Sequence, residues 1–161
     1  GDALFTTGQG LPASQNFVTA NLGVFIPFGV PEPITVTKLG WSNGNAVAGN
    51  LDVGVFDTAG TRLVSAGSTA QATTNIIQVV DVTDTTLARG IYYLGLTSDT
   101  SGVTQKVVAK LPAAGIPQSI GLVQQAAAFP FNTNANPAVF ATYTSAFIPL
   151  VVLQGYRTIG P

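Results

Sequence analysis

Any catalytic chemistry in this chain would have to rest on carboxylates, because the 161-residue sequence contains no histidine and no cysteine. Histidine is the ordinary general base near neutral pH and the commonest metal ligand. Cysteine would supply disulfides or thiolate ligands. A serine nucleophile would need a lysine or a carboxylate as its base, and the sequence contains no GxSxG motif. Aspartate and glutamate, seven residues in all, are what remains for acid–base work.

A glycosidase needs two carboxylates that face each other at a set separation. The candidates are Asp52, Asp57, Asp81, Asp84 and Asp99. Asp57, Asp84 and Asp99 lie beside Thr, Ser or Gly in predicted turns, where aspartate caps backbone amides. A calcium site from Asp81 and Asp84 is the metal-binding alternative, but DVTD matches no EF-hand loop. We therefore predict turn chemistry for Asp57, Asp84 and Asp99, and we predict no metal, no cofactor and no enzymatic activity.

Aromatic rings on a β-sandwich face offer a different chemistry, the stacking of sugars. The candidate rings are Trp41, Tyr92, Tyr143 and Tyr156, and Trp41 and Tyr143 are the two positions to test by replacement with alanine. A glycan platform also needs polar groups that converge beside the rings, and the sequence does not place such groups. A role in the core or in an interface is therefore the favoured interpretation, and glycan binding stays open as the alternative.

The elements that would position these residues are β-strands, since the chain is rich in Thr, Val, Gly and Pro and poor in helix formers. Segments with strand character recur at the spacing of a sandwich or barrel. A helix is plausible at one segment, LVQQAAA, because Pro130 would end it. That segment spans 122–128, and the predicted strands are 15–19, 22–28, 33–41, 51–57, 61–66, 76–82, 90–97, 105–109, 119–125, 138–144 and 148–154.

Local patterns predict a hairpin and a tight loop. The segment 50–67 reads as a half-buried strand, a turn in which Asp57 caps and Gly60 takes the left-handed conformation, and a return strand. The dipeptide Asn43-Gly44 predicts a tight loop directly after the strand that holds the tryptophan.

A tyrosine corner is predicted from the segment DTTLARGIYYLGL. Leu87, Gly90 and Tyr92 have the spacing seen where a strand begins after crossing between the sheets of a sandwich. At such a corner the leucine packs under the turn and a tyrosine hydroxyl bonds to backbone upstream. Tyr92 or Tyr93 could hold that role, and alternation does not decide between them.

Charge is unusually sparse, at 8% of residues with a net charge of −1, and no charged residue occurs in 111–156. A monomer normally covers its surface with charge, so this pattern predicts that companions cover much of the surface in a homo-oligomer. Six scattered basic residues give no footprint for nucleic acid. No apolar run is long enough to span a membrane. The predicted interface residues are Leu4, Phe5, Phe129, Phe131, Phe140, Tyr143 and Phe147.

The middle of the chain resembles a β-sandwich module found in virion proteins of tailed bacteriophages. The matching strings are VFIPFGVPEPITVTKLGWSNGNAVAGNLDVGVFDTAGTRLVSAGSTAQ and DVTDTTLARGIYYLGL, within roughly residues 22–100. The resemblance implies an antiparallel, jelly-roll-like sandwich displayed on a virus particle. Similar modules also occur in cell-surface and carbohydrate-binding proteins, so receptor or glycan binding is the alternative function.

From the composition and the resemblance together, we expect a non-enzymatic virion structural protein of the capsid decoration, neck, tail or fibre type. Its partners would be copies of itself, as a trimer, and another virion protein such as the major capsid protein; a host surface glycan is a further candidate. In this interpretation residues 1–14 form an N-terminal arm. Residues 15–161 form one sandwich domain with long C-terminal loops and an uncharged assembly region at 111–156.

Overall fold

The computed structural model describes residues 13–17, 19–110, 121–126, 129–131 and 134–157. They form thirteen strands and one short 3-10 turn at Pro137–Val139. The strands are β1 (Ser14–Asn16), β2 (Leu22–Val30), β3 (Ile34–Ser42), β4 (Asn50–Asp57), β5 (Arg62–Ser65), β6 (Thr69–Ala70), β7 (Ile77–Leu87), β8 (Gly90–Ser98), β9 (Thr104–Lys110), β10 (Val123–Ala126), β11 (Ala141–Thr142), β12 (Phe147–Pro149) and β13 (Val151–Arg157).

Three antiparallel sheets contain these strands. The large sheet has the order β11-β10-β2-β8-β4-β5, with β6 also paired to β4. The small sheet has the order β13-β3-β7, and a third sheet has the order β1-β9-β12. The predicted all-β, antiparallel, sandwich-like fold is confirmed.

The two main sheets follow a jelly-roll path. The chain passes from the large sheet to the small sheet and back through β2, β3 and β4, and returns through β5, β7 and β8. The outgoing and returning strands pair with each other, β2 with β8, β3 with β7 and β4 with β5. A ribbon of antiparallel pairs is thus wrapped across both sheets, as in jelly rolls.

The main core lies between the two sheets, and a second cluster covers the opposite face of the large sheet. Inward residues of β4 such as Leu51, Val53 and Val55 are fully buried in the main core. On the other face of β4, Phe56 packs with Phe25 and Phe131 in the second cluster. β4 was predicted to be half-buried, and this was wrong because the segment around Phe131 covers its second face.

The predicted hairpin is confirmed as β4 and β5. Asp57 accepts a hydrogen bond from the Thr61 backbone N–H at 2.8 Å, and the Gly60 N–H donates to the Asp57 carbonyl at 3.0 Å. Gly60 has a φ of 84°, a conformation that glycine adopts without a steric penalty. Local turn chemistry therefore sets this register.

The tyrosine corner is also confirmed. The hydroxyl of Tyr92 donates to the Ala88 carbonyl at 3.0 Å, and Leu87 is buried beneath the turn. Tyr93 points to the other face, where its ring meets Phe140 edge-on at 5.5 Å. The corner thus uses the first of the two tyrosines.

Other local predictions were wrong. The helix candidate 122–128 contains strand β10 instead, which pairs with the edge of β2. Segment 138–144 contains a 3-10 turn followed by the two-residue strand β11. The loop at Asn43-Gly44 is not tight, since residues 43–49 carry the chain from β3 in the small sheet to β4 in the large one. In the part of the chain that the structure describes, no helix is long and apolar enough to cross a bilayer.

Candidate interaction surface

The acidic residues serve the fold in separate places. Asp57 caps the hairpin turn, and Asp99 accepts a hydrogen bond from the Asn50 backbone N–H at 2.9 Å. Asp81 lies on β7 and forms an exposed ion pair with Lys38 at 2.6 Å. Among the described residues, no three acidic side chains converge into a group that could hold a metal ion. Asp57, Asp81 and Asp99 each have a separate structural partner.

Asp52 is the one fully buried carboxylate among the described residues. The Ser65 hydroxyl lies 2.9 Å from both of its oxygens, and the Phe131 backbone N–H donates to Oδ2 at 2.7 Å. Burial raises the pKa of Asp52 above its ordinary value of 3.8, while the hydrogen bonds from Phe131 and Ser65 lower it in part. Asp52 thus fastens the 129–131 segment to β4 at the cost of a desolvated charge.

Replacing Asp52 with asparagine is expected to raise the free energy of unfolding at neutral pH. The folded chain holds the Asp52 proton more tightly than the unfolded chain, so stability falls as pH rises from the ordinary pKa through the raised one. Asparagine can still accept from Phe131 and carries no charge, so this fall should disappear. Urea denaturation in acid and at neutral pH measures both effects, with Asp57→Asn as the control. A variant that is less stable at neutral pH would contradict the account.

The two aromatic residues predicted as a glycan platform lie in the interior. Trp41 and Tyr143 are both 0% exposed, and both belong to the main core. The hydroxyl of Tyr92 donates a hydrogen bond at the tyrosine corner, whereas Tyr156 is 56% exposed on β13. The prediction of sugar stacking on Trp41 and Tyr143 was wrong, because packing between the sheets leaves neither ring a free face.

The predicted aromatic interface is also largely internal. Phe131 and Phe147 are buried, and Phe140 packs half-buried on the ring of Phe25 at 4.9 Å. Phe129 is half-buried, while Leu4 and Phe5 lie outside the described residues. The described part of 111–156 contributes β10 to β13 and these rings to the chain's own sheets and core. The assignment of Phe131, Tyr143 and Phe147 to an interface with other subunits was wrong, because the chain's own fold buries these three side chains.

Three of the eight exposed large apolar side chains among the described residues lie together at the start of β7. Ile76, Ile77 and Val79 are 41%, 57% and 40% exposed. β7 is the edge strand of the small sheet and, at eleven residues, the longest strand described. Proteins usually protect such an edge with charge, proline or a bulge. Asp81 and Asp84 protect β7 from its fifth residue onwards, but its first part, residues 77–80, carries no charge.

The backbone at Ile77 and Val79 also presents hydrogen-bonding groups that no described residue satisfies. The Asn43 N–H donates to the Ile76 carbonyl at 2.8 Å, in the same register that pairs Trp41 with Gln78. Because bonding directions alternate along an antiparallel strand, Ile76 and Gln78 bond towards β3. The N–H and C=O groups of Ile77 and Val79 therefore point away from β3, and no described residue bonds to them.

The outer face of the small sheet continues the apolar surface. Val79 and Val152 lie in register on either side of Gly40, and their neighbours along each strand pack into the core. A Cβ at Gly40 would collide with the Gln78 carbonyl oxygen, so only glycine fits there. The result is an uncharged strip from β13 across to the edge at β7.

A second surface feature is a shallow groove of about 480 Å³ between the β2–β3 and β7–β8 turns. Its charged group is the guanidinium of Arg89. A ligand site needs several polar groups that converge on one volume, and the remaining lining is apolar or glycine. The groove therefore offers a weaker case than the β7 edge. Its lining residues are Gly29, Val30, Pro31, Arg89, Gly90 and Ile91.

Comparison of the chain with protein-family models, curated proteins and solved structures finds no match.

Proposed function

We propose that the chain is a non-enzymatic structural subunit that works by protein–protein assembly. The observation that carries the proposal is the first part of β7, where exposed Ile77 and Val79 combine with backbone groups to which no described residue bonds. An uncharged apolar edge in contact with water is a template for aggregation. In the functional state, another chain therefore covers this edge.

The sparse charge supports the same function. Charged residues make up 8% of the chain, against roughly 25% in typical globular domains. The chain's own fold covers much of the described part of the uncharged C-terminal region. The shortage of charged side chains therefore matters most at the outer face of the small sheet, which is exposed. On that face, the side chains that lie between the Lys38–Asp81 ion pair and Ile77 carry no charge.

We further propose that the assembly is the virion of a tailed bacteriophage, with the chain on the particle surface as a capsid decoration or a head or tail fibre component. The jelly-roll path and the sequence resemblance over roughly residues 22–100 support this setting. The major capsid protein or another virion protein would be its second partner. Glycan binding loses support, because the two rings chosen as its platform are buried.

Mass spectrometry of purified particles tests the virion proposal. Particles of the virus that encodes the chain, banded on a density gradient, are expected to contain it in a fixed ratio to the major capsid protein. An abundant host cytoplasmic protein serves as the control for contamination. A chain that is abundant in the lysate and depleted from the particles in parallel with that control would refute the proposal.

A further inference from the structure

We infer that two copies of the chain pair edge to edge through the first part of β7, around a two-fold axis that passes by Gln78. The inference rests on the proposed assembly function and specifies one of its partners, a second copy of this chain. A two-fold contact uses the same surface on both copies. Residues 76–80 of one copy must therefore complement residues 76–80 of the other, in backbone hydrogen bonds, side chains and charge.

The backbone supplies the first element of complementarity. Ile77 and Val79 direct their N–H and C=O groups outwards, whereas Gln78 directs its own towards β3. With Gln78 on the axis, Ile77 of one copy lies opposite Val79 of the other, and Val79 lies opposite Ile77. Each of these two opposed pairs exchanges both of its hydrogen bonds in an antiparallel ladder. All the outward groups of Ile77 and Val79 are then satisfied.

The side chains supply the second element. Ile77 and Val79 lie on the outer face and are well exposed, so the pairing brings apolar side chains together across the strands. The Gln78 side chain turns the other way, where its amide bonds to Asn43 at 2.9 Å and to the Ala70 carbonyl at 2.8 Å. Gln78 therefore does not obstruct the axis.

Charge disfavours the registers that are shifted towards Asp81. An axis at Val79 would place Asp81 of one copy opposite Ile77 of the other, and an axis at Asp81 would oppose two like charges directly, which is destabilising. An axis at Ile77 would place Val79 beyond the start of the partner copy's β7. The register with Gln78 on the axis opposes Ile77 to Val79 in both pairs.

Pairing in this way joins two three-stranded sheets into one continuous sheet. The outer strips of the two copies, each defined by Val152, Gly40, Val79 and Ile77, become continuous across the axis. A two-fold contact closes as a dimer. The trimer expected from the sequence would therefore need a separate contact elsewhere on the chain.

Single-cysteine variants test the register, because the parent chain contains no cysteine. Opposed residues in hydrogen-bonded pairs have Cα atoms about 5.5 Å apart, within disulfide range. A mixture of Ile77→Cys and Val79→Cys proteins is expected to form disulfide dimers about tenfold faster than either protein alone, since diagonal residues are about 7–8 Å apart. Ile91→Cys, equally exposed at 59%, is the control. Faster cross-linking of one variant alone would overturn the register.

Light scattering of Val79→Lys separates this inference from the proposed function. A lysine buried opposite Ile77 is expected to weaken self-association by about a hundredfold, whereas Ile91→Lys should leave it unchanged. A parent chain that is multimeric while Val79→Lys keeps its mass would mean that something other than a second β7 covers the edge. That result overturns the pairing and leaves the proposed function intact. A parent chain that is monomeric overturns the proposed function itself.

Discussion

Replacing Asn43 with aspartate is expected to lower the free energy of unfolding by about 3 kcal/mol. Asn43 is fully buried and uses its whole carboxamide. Its Oδ1 accepts from Trp41 Nε1 at 2.7 Å and from Gln71 Nε2 at 3.1 Å. Its Nδ2 donates to the Thr73 carbonyl and to Gln78 Oε1, both at 2.9 Å. Asn43 thus joins the 43–49 crossover to the 71–76 crossover.

Aspartate has the same shape but cannot donate, so both acceptors of the Nδ2 group would face a carboxylate oxygen. Rotation of the Gln78 amide cannot relieve this, because Gln78 Nε2 donates to the Ala70 carbonyl and its Oε1 accepts from the Ala72 N–H. A buried charge without a counter-ion adds to the loss. The measurement is urea denaturation at neutral pH.

Asn45→Asp is the matched control, because Asn45 is exposed in the same crossover. Its stability should stay within about 0.5 kcal/mol of the parent, as for surface substitutions generally. Equal stabilities for the two variants would show that the amide of Asn43 does not hold the crossovers together.

Replacing Phe131 with alanine is expected to cost about 3–5 kcal/mol. Its ring lies 5.1 Å from that of Phe56 and 5.8 Å from that of Phe25. Truncation would remove these edge contacts, leave a cavity over β4 and expose Asp52, which the Phe131 N–H now holds. Thermal denaturation measures the loss, with Val139→Ala, 56% exposed in the same part of the chain, as the control.

The same variant separates a core role from an interface role. A Phe131 ring in a subunit interface would leave the unfolding of the isolated chain unchanged and reduce only the assembled mass. A large fall in unfolding stability at concentrations too low for assembly is the result that the structure predicts. A normal unfolding midpoint with loss of assembly would restore the interface assignment made from the sequence.

Local rules predicted the elements that depend on neighbouring residues. The β4–β5 hairpin follows from the side chain of Asp57 and the positive φ of Gly60, and the corner from the bond between Tyr92 and Ala88, four residues apart. The helix candidate failed because its alanines favour helix only when tertiary pairing is absent. Here Gln124 pairs with Val24, and that pairing determines the conformation.

Long-range relations could not be read from the sequence. Apart from Trp41, the side-chain partners of Asn43 lie 28 to 35 residues away, so the Asn43-Gly44 dipeptide resembled a simple turn. The run NIIQVV at 75–80 was visible as a strand, but its position at a sheet edge depends on the strand order. The aromatic residues of the uncharged tail were assigned to an interface for the same reason, because composition does not tell which protein covers them.

The molar mass of the chain in solution tests most directly whether the chain functions in an assembly. Light scattering across a dilution series is expected to give a mass of at least two chains at high concentration. The mass should fall towards the 16.4 kDa of one chain on dilution. A stable mass of 16.4 kDa at every concentration, without precipitation, would contradict the account.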